Sequence, residues 1–156
     1  ARPLEKAIPV LLAEVDGLHG VGRAIPEAAW RLAARFWPGA LTIIVPTASH
    51  LPPVLCAGGD TVAVRVPDHP LARAIIRAAG GALATTSANM SGDPPALSAA
   101  EALAALDGRI DLLVDGGRVP GGVASTVLDV STGELQVLRP GPIGLAEIER
   151  ALEGTR

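Results

Sequence analysis

Apolar positions in this chain come in short blocks whose spacing changes from one block to the next. IPVLLAEV, at 8–15, is nearly continuous and reads as a strand or a buried segment entering a helix, until Glu14 and Asp16 return the chain to water. Gly17 to Gly22 read as a turn. Residues 26–36 carry helical spacing, with Pro26 suited to the first turn and Trp30, Ala33, Ala34 and Trp37 marking an apolar stripe. Pro38 and Gly39 stop that helix. Leu41 to Val45 and Asp60 to Val66 alternate as strands, separated by a loop rich in proline and glycine. In the second strand Val62, Val64 and Val66 share one face, which leaves Arg65 on the other.

The second half continues the alternation. Asp68 is placed to cap a helix that starts near Pro70 and ends at Gly80 or Gly81. Ala82 to Thr86 follow as a buried strand. Ser98 and Glu101 form a capping-box pattern for a helix through Leu106. Asp111 to Val114 read as a short strand, and Gly116 to Gly122 as a glycine-rich loop. Ser125 to Val130 and Glu134 to Leu138 read as a hairpin, and 144–153 as a final amphipathic helix. Interleaved strands and helices, with one hairpin, predict an α/β fold with a twisted, open, mixed sheet and flanking helices.

Composition narrows the function classes. With 156 residues, 49% of them hydrophobic, the chain can bury a core as one domain spanning 1–156. No apolar run reaches the roughly eighteen residues of a membrane span, and no targeting segment is visible, so a cytoplasmic protein without a membrane partner is expected. Cys56, the only cysteine, rules out an internal disulfide. A net charge of -3 is not that of a general nucleic-acid coat, although one face could still be basic. Trp30, Phe36 and Trp37 are too few to build stacking platforms for single strands.

The candidate chemistry lies at strand ends. ATTSANMSG, at 84–92, places Thr85, Thr86, Ser87, Asn89 and Ser91 where ligands of open α/β sheets collect. The same residues could instead cap their own turn. Ser125 and Thr126 repeat the pattern after Gly121 and Gly122, with no Walker lysine. Arg65, set in an apolar strand, needs a carboxylate or phosphate partner, either a ligand or a structural acid. Arg139, before Pro-Gly, and Arg2 with Lys6 near the start could neutralise a polyphosphate. His19, His50 and His69 lack metal-ligand spacing. Asp111, Asp115 and Asp129 could approach one another and hold magnesium. Donors and arginines without an evident general base suit phosphoryl or nucleotidyl transfer, where positioning dominates.

FWPGALTIIVP at 36–46, VAVRVPDHP at 62–70, ATTSANMSGDPP at 84–95, GGVASTVLDV at 121–130 and LRPG at 138–141 together resemble the YrdC/Sua5/TsaC family of threonylcarbamoyl-AMP synthases. The start, ARPLEKAIPVLL, resembles the tail of that family's lysine-x-arginine-proline segment. The resemblance implies the YrdC-like fold and a reaction joining L-threonine, bicarbonate and ATP, the last with magnesium, into L-threonylcarbamoyladenylate. A partner complex would then complete threonylcarbamoyladenosine (t6A) in tRNA. A concave surface suited to double-stranded RNA is also implied. By motif, Arg65 and Ser125 would bind threonine. Thr85, Ser87, Asn89, Arg139, Arg2 and Lys6 would bind ATP, while Pro38, Gly39 and Thr42 would shape the crevice. The family's early strand and its PT(D/E)TxYGL motif have no counterpart here, so the domain is expected to be incomplete at its amino terminus. A non-catalytic RNA- or nucleotide-binding protein is the alternative. A carbamoyl-transfer domain like that in NiFe hydrogenase maturation is a third reading.

Overall fold

The computed structural model describes residues 7–90, 92–119 and 123–153. The chain divides into two compact units, a larger one drawn from Leu4–Thr85 and Val123–Arg156 and a smaller one that includes Thr86–Gly122. The larger unit holds a six-stranded sheet. Its strands are β1 (Val10–Leu12), β2 (Leu41–Pro46), β3 (Thr61–Arg65), β4 (Ala82–Ala84), β5 (Thr126–Asp129) and β6 (Gln136–Arg139), in the order β4-β1-β3-β2-β5-β6. β1 runs parallel to β3 and β2 parallel to β5, and the other neighbours are antiparallel. The sheet is therefore mixed, as the hairpin in the sequence predicted.

Alternation decides which face meets the core. Leu41, Ile43 and Val45 of β2, Val62 and Val64 of β3, and Leu128 of β5 are fully or almost fully buried. Each contributes about 1.5–3 kcal/mol by leaving water. Two helices supply the facing layer: α2 (Glu27–Phe36), through Ala29, Leu32, Ala33 and Phe36, and α5 (Leu145–Glu153), through Ile148. The buried stripe of α2 thus follows 29, 32, 33 and 36. Ala34, placed on the stripe by the sequence reading, is exposed, and Trp30 is half-buried with its ring 4.4 Å from that of His19. Arg31 of α2 donates to the carbonyls of Ala151 and Leu152, satisfying acceptors at the end of α5.

Other elements depart from the pattern. The segment read as a turn at Gly17 to Gly22 holds the short helix α1 (Leu18–Val21), with Leu18 and Val21 buried. Helix α3 (Pro70–Ala78) is capped by His69, not Asp68, since the ring Nδ1 accepts from the Ala72 amide at 3.3 Å. Strand β4 is an exposed edge strand rather than a buried one, because only β1 pairs with it.

In the smaller unit, α4 (Ala99–Leu106) begins as expected. The Ser98 hydroxyl accepts from the Glu101 amide at 3.2 Å, and the Glu101 carboxylate accepts from the Leu97 amide at 2.8 Å. Asp111 to Val114 do not form a strand. No neighbour pairs with them among the described residues, and Leu112 is 79% exposed. An apolar quartet without a neighbouring strand lacks the hydrogen bonds to hold an extended form alone.

Candidate functional site

The face of the sheet opposite the core carries the chemistry. In β2 and β3, Ile43 pairs with Val64. One step further along this antiparallel ladder, Thr42 stands beside Arg65. On the other side of β2, Thr42 pairs with Val127 of β5, and Val127 pairs with Arg139 of β6. Arg65, Thr42, Val127 and Arg139 thus form one row across four strands. Because strand side chains alternate, the burial of Val64, Ile43 and Leu128 on one face sends this row to the other.

Arg139 reaches this level through an irregularity. Leu128 pairs with Val137, yet the next residue of β5, Val127, pairs with Arg139, so Leu138 is the extra residue of a β-bulge. The Arg139 guanidinium turns onto Ser125. Its Nε and Nη2 donate to the Ser125 carbonyl at 3.0 and 2.8 Å, and Nη2 also donates to the Ser125 hydroxyl at 3.0 Å. That hydroxyl lies 2.7 Å from the hydroxyl of Thr42. Both Ser125 and Thr42 are only 6% exposed.

Arg65 is held from the other side. Its Nε donates to the Gly39 carbonyl at 2.6 Å. That carbonyl belongs to a turn fixed at two points: the Trp37 indole donates to the Leu41 carbonyl at 2.7 Å, and the Gly39 amide donates to Val66 at 3.0 Å. Glycine is required at 39 because a Cβ there would stand 2.2 Å from the Phe36 carbonyl. The two terminal nitrogens of Arg65 have no hydrogen-bond or ion-pair partner among the described residues. Burial, and after it the charge of Arg139, holds the Arg65 pKa below the usual arginine value, while Asp68 pulls the other way. Arginine stays protonated regardless. The consequence is a half-buried guanidinium at Arg65 that feels the like charge of the exposed Arg139, an arrangement that an anion would relieve.

The segment after β6 closes on the same strand start. The Thr126 hydroxyl donates to the Ile143 carbonyl at 2.8 Å and accepts from its amide at 3.1 Å. Gly141 packs so closely that a Cβ would meet the Thr126 nitrogen at 2.3 Å.

Of the residues singled out in the sequence, Arg65, Ser125, Arg139, Thr42 and Gly39 come together here. Pro38 is exposed in the turn that presents the Gly39 carbonyl. Thr85 is engaged at the end of β4, where its amide and hydroxyl both donate to the Pro9 carbonyl, at 2.9 and 3.4 Å. Ser87 and Asn89 belong to the smaller unit. The Asn89 side chain donates to the carbonyls of Met90 and Asp93 at 2.8 and 2.7 Å, which braces its own turn. Its Oδ1 is buried and accepts nothing among the described residues. Arg2 and Lys6 lie outside the described residues, as do Gly121 and Gly122. Asp115 and Asp129 accept from the amides of Gly117 and Ser131, each within its own turn. Among the described residues no group of three or more His, Cys, Asp and Glu could hold a metal ion. No described helix is long and apolar enough to cross a membrane.

The sequence reading gave Gly39 only a shaping role and overlooked Trp37 and Gly141. The signal for the first two was present in Trp-Pro-Gly immediately before a strand. Gly141 closes the quoted LRPG.

The site defines a class: a mixed α/β sheet whose open face carries an arginine pair and two buried hydroxyls. Residues 1–141 match the family model Sua5_yciO_yrdC, described as telomere recombination. The chain is 44% identical over 152 residues to the threonylcarbamoyl-AMP synthase of Bacillus subtilis and 39% identical over 151 residues to that of Pyrococcus abyssi, covering 97% of this chain in both cases. It also resembles a crystal structure of P. abyssi Sua5 complexed with L-threonine, with a TM-score of 0.91 and 39% identity, covering 99% of this chain and 46% of that one. The chain spans 44% of the length of each of those two synthases. It belongs to the Sua5/YciO/YrdC family.

Proposed function

We propose that this protein is an L-threonylcarbamoyladenylate synthase. The threonine nitrogen bonds to the carbon of bicarbonate with loss of water. An oxygen of the resulting carbamate bonds to the α-phosphorus of ATP, and diphosphate leaves. The observation that carries this reading is the pair of terminal nitrogens on Arg65 that find no partner among the described residues, in the row that also holds Thr42 and Arg139. Two parallel N–H donors match a carboxylate, and the threonine-bound relative supplies the amino acid.

Arg65 then grips the threonine carboxylate, with Ser125 contributing its hydroxyl. Arg139, fixed on Ser125 by two of its nitrogens, has Nη1 left for a nucleotide phosphate. Thr85, Ser87, Arg2 and Lys6 are assigned to ATP by motif, each residue taken by itself. Asn89 is a special case: its buried Oδ1 is an acceptor, so it suits a ribose hydroxyl or the adenine amino group better than a phosphate oxygen. Magnesium enters with the nucleotide as part of the substrate. Delivery of the product to a complex acting on tRNA, contact with tRNA or double-stranded RNA, and a cytoplasmic location belong to the same reading.

The test is release of diphosphate from ATP. It is expected only when L-threonine and bicarbonate are both present. Diphosphate release independent of threonine, or none at saturating substrates, overturns the proposal. Tight tRNA binding without turnover would select a non-catalytic RNA-binding role instead.

A further inference from the structure

The hydroxyl pair at the centre of the polar row has a proton arrangement that can be worked out. Two oxygens, Thr42 Oγ1 and Ser125 Oγ, lie 2.7 Å apart and share one hydrogen bond. Each carries one proton, so one proton lies between them and the other is left over. A guanidinium only donates, so the Arg139 contact at 3.0 Å fills one lone pair of Ser125 Oγ.

Two arrangements remain. If Ser125 donates to Thr42, the Thr42 proton is the spare one; both hydroxyls are only 6% exposed, so burial alone does not choose between the arrangements. If Thr42 donates to Ser125, both lone pairs of Ser125 Oγ are filled. Its own O–H is then the free donor, on the same side of the sheet as the free nitrogens of Arg65. A carboxylate held at Ser125, as in the proposed function, selects the second arrangement, because it supplies the acceptor that the Ser125 proton needs.

We propose that Thr42 is a positioning residue: it donates to Ser125 Oγ and, together with Arg139, makes Ser125 an obligate hydrogen-bond donor toward the bound amino-acid carboxylate. Thr42 itself does not touch the ligand. This rests on the reading that the Arg65 cluster takes L-threonine.

The test is calorimetric titration of L-threonine, without ATP, into the wild type, Thr42→Val, Thr42→Ser, Ser125→Ala and the Thr42→Val/Ser125→Ala double variant. Valine keeps the shape of threonine and removes the hydroxyl, whereas serine keeps the hydroxyl and removes a methyl group. Thr42→Val is expected to weaken binding roughly three- to tenfold, the scale of one net hydrogen bond, while Thr42→Ser stays within about twofold of wild type. In the Ser125→Ala background the valine substitution should add nothing, because its route to the ligand is already gone. A packing role would instead give effects that multiply and no rescue by serine. Thr42→Val binding within about twofold of wild type, or multiplying effects in the double variant, overturns the inference while leaving threonine binding intact. Absence of threonine binding in the wild type overturns the substrate reading, and this inference with it. Tryptophan fluorescence of each variant checks that it is folded, and the serine variant decides the matter if valine is not tolerated.

Discussion

Arg65→Met separates function from stability. Methionine keeps a long unbranched stem but removes the guanidinium, and the stability balance follows from what surrounds that group. The substitution loses the bond from Nε to the Gly39 carbonyl, worth about 1.5–3 kcal/mol for a charged donor. It also relieves the half-buried charge and its repulsion from Arg139, the two causes that lower the Arg65 pKa. Apolar replacement of a desolvated charge commonly returns free energy of similar size. The net change in unfolding free energy is therefore expected within about 1 kcal/mol of zero. Binding behaves differently. Two charge-assisted bonds to a carboxylate, taken at about 1.5 kcal/mol each because the site is only half-buried, amount to about 3 kcal/mol, or roughly a hundredfold in Kd. Urea unfolding followed by Trp30 and Trp37 fluorescence measures the first quantity. Repeating it with L-threonine measures the second, since ligand at a hundred times the wild-type Kd stabilises the wild type by about 2.7 kcal/mol but the variant, for which it is only about one Kd, by about 0.4 kcal/mol. A stability loss above about 3 kcal/mol, or unchanged protection by threonine, would show Arg65 to be a structural residue and refute the reasoning.

Three further outcomes are expected. Gly141→Ala must displace the start of β5, since the new Cβ would meet Thr126 and Ser125 backbone atoms at 2.3 and 2.7 Å. Overpacking of this kind costs about 1–3 kcal/mol and should weaken threonine binding as well, whereas an unperturbed Tm would contradict the close approach. Ser98→Ala removes the cap of α4 and should destabilise the smaller unit by about 1 kcal/mol, read as faster amide exchange over Ala99–Leu106. The Glu101 carboxylate is held below its usual pKa, first by the Leu97 amide and then by Ser98 and Arg118; that of Glu14 is lowered, first by Arg77 and then by Arg73. Both groups therefore stabilise the fold above the ordinary glutamate value of about 4.3, and that contribution disappears as pH falls through their lowered values. Glu14→Gln and Glu101→Gln should flatten the acid limb of an unfolding curve, and an unchanged limb would argue against these pairings.

The sheet was legible because period-two alternation is a local signal. Val62, Val64 and Val66 alone assigned Arg65 to the face away from the core, and the hairpin followed from the turn at Ser131 to Gly133. The misassigned elements depend on distant partners. Ala82 to Ala84 and Leu112 to Val114 are short apolar runs like those of buried strands, and only neighbours decide whether such a run is an edge, a core strand or coil. The helix caps were legible where side-chain chemistry is unambiguous, as at Ser98. They were not where a histidine competes with the adjacent aspartate, as at His69. Arg65, Ser125 and Arg139 were all identified as candidates, but their convergence depends on strand order, which brings β3, the start of β5 and β6 around β2. The carbonyl of Gly39 was invisible because backbone acceptors leave no trace in residue type.

The single surplus residue in β6 has an effect out of proportion to its size. Without the bulge, Leu138 would pair with Val127, and regular pairing from Leu128 and Val137 would bring Arg139 opposite Thr126, whose side chain lies under the sheet on the apolar side. The guanidinium would then point into oil instead of toward Ser125. The bulge thus acts as a parity switch for Arg139: drawing Leu138 into regular pairing would cost the protein its second cation even though every amino acid of the site were still in the chain.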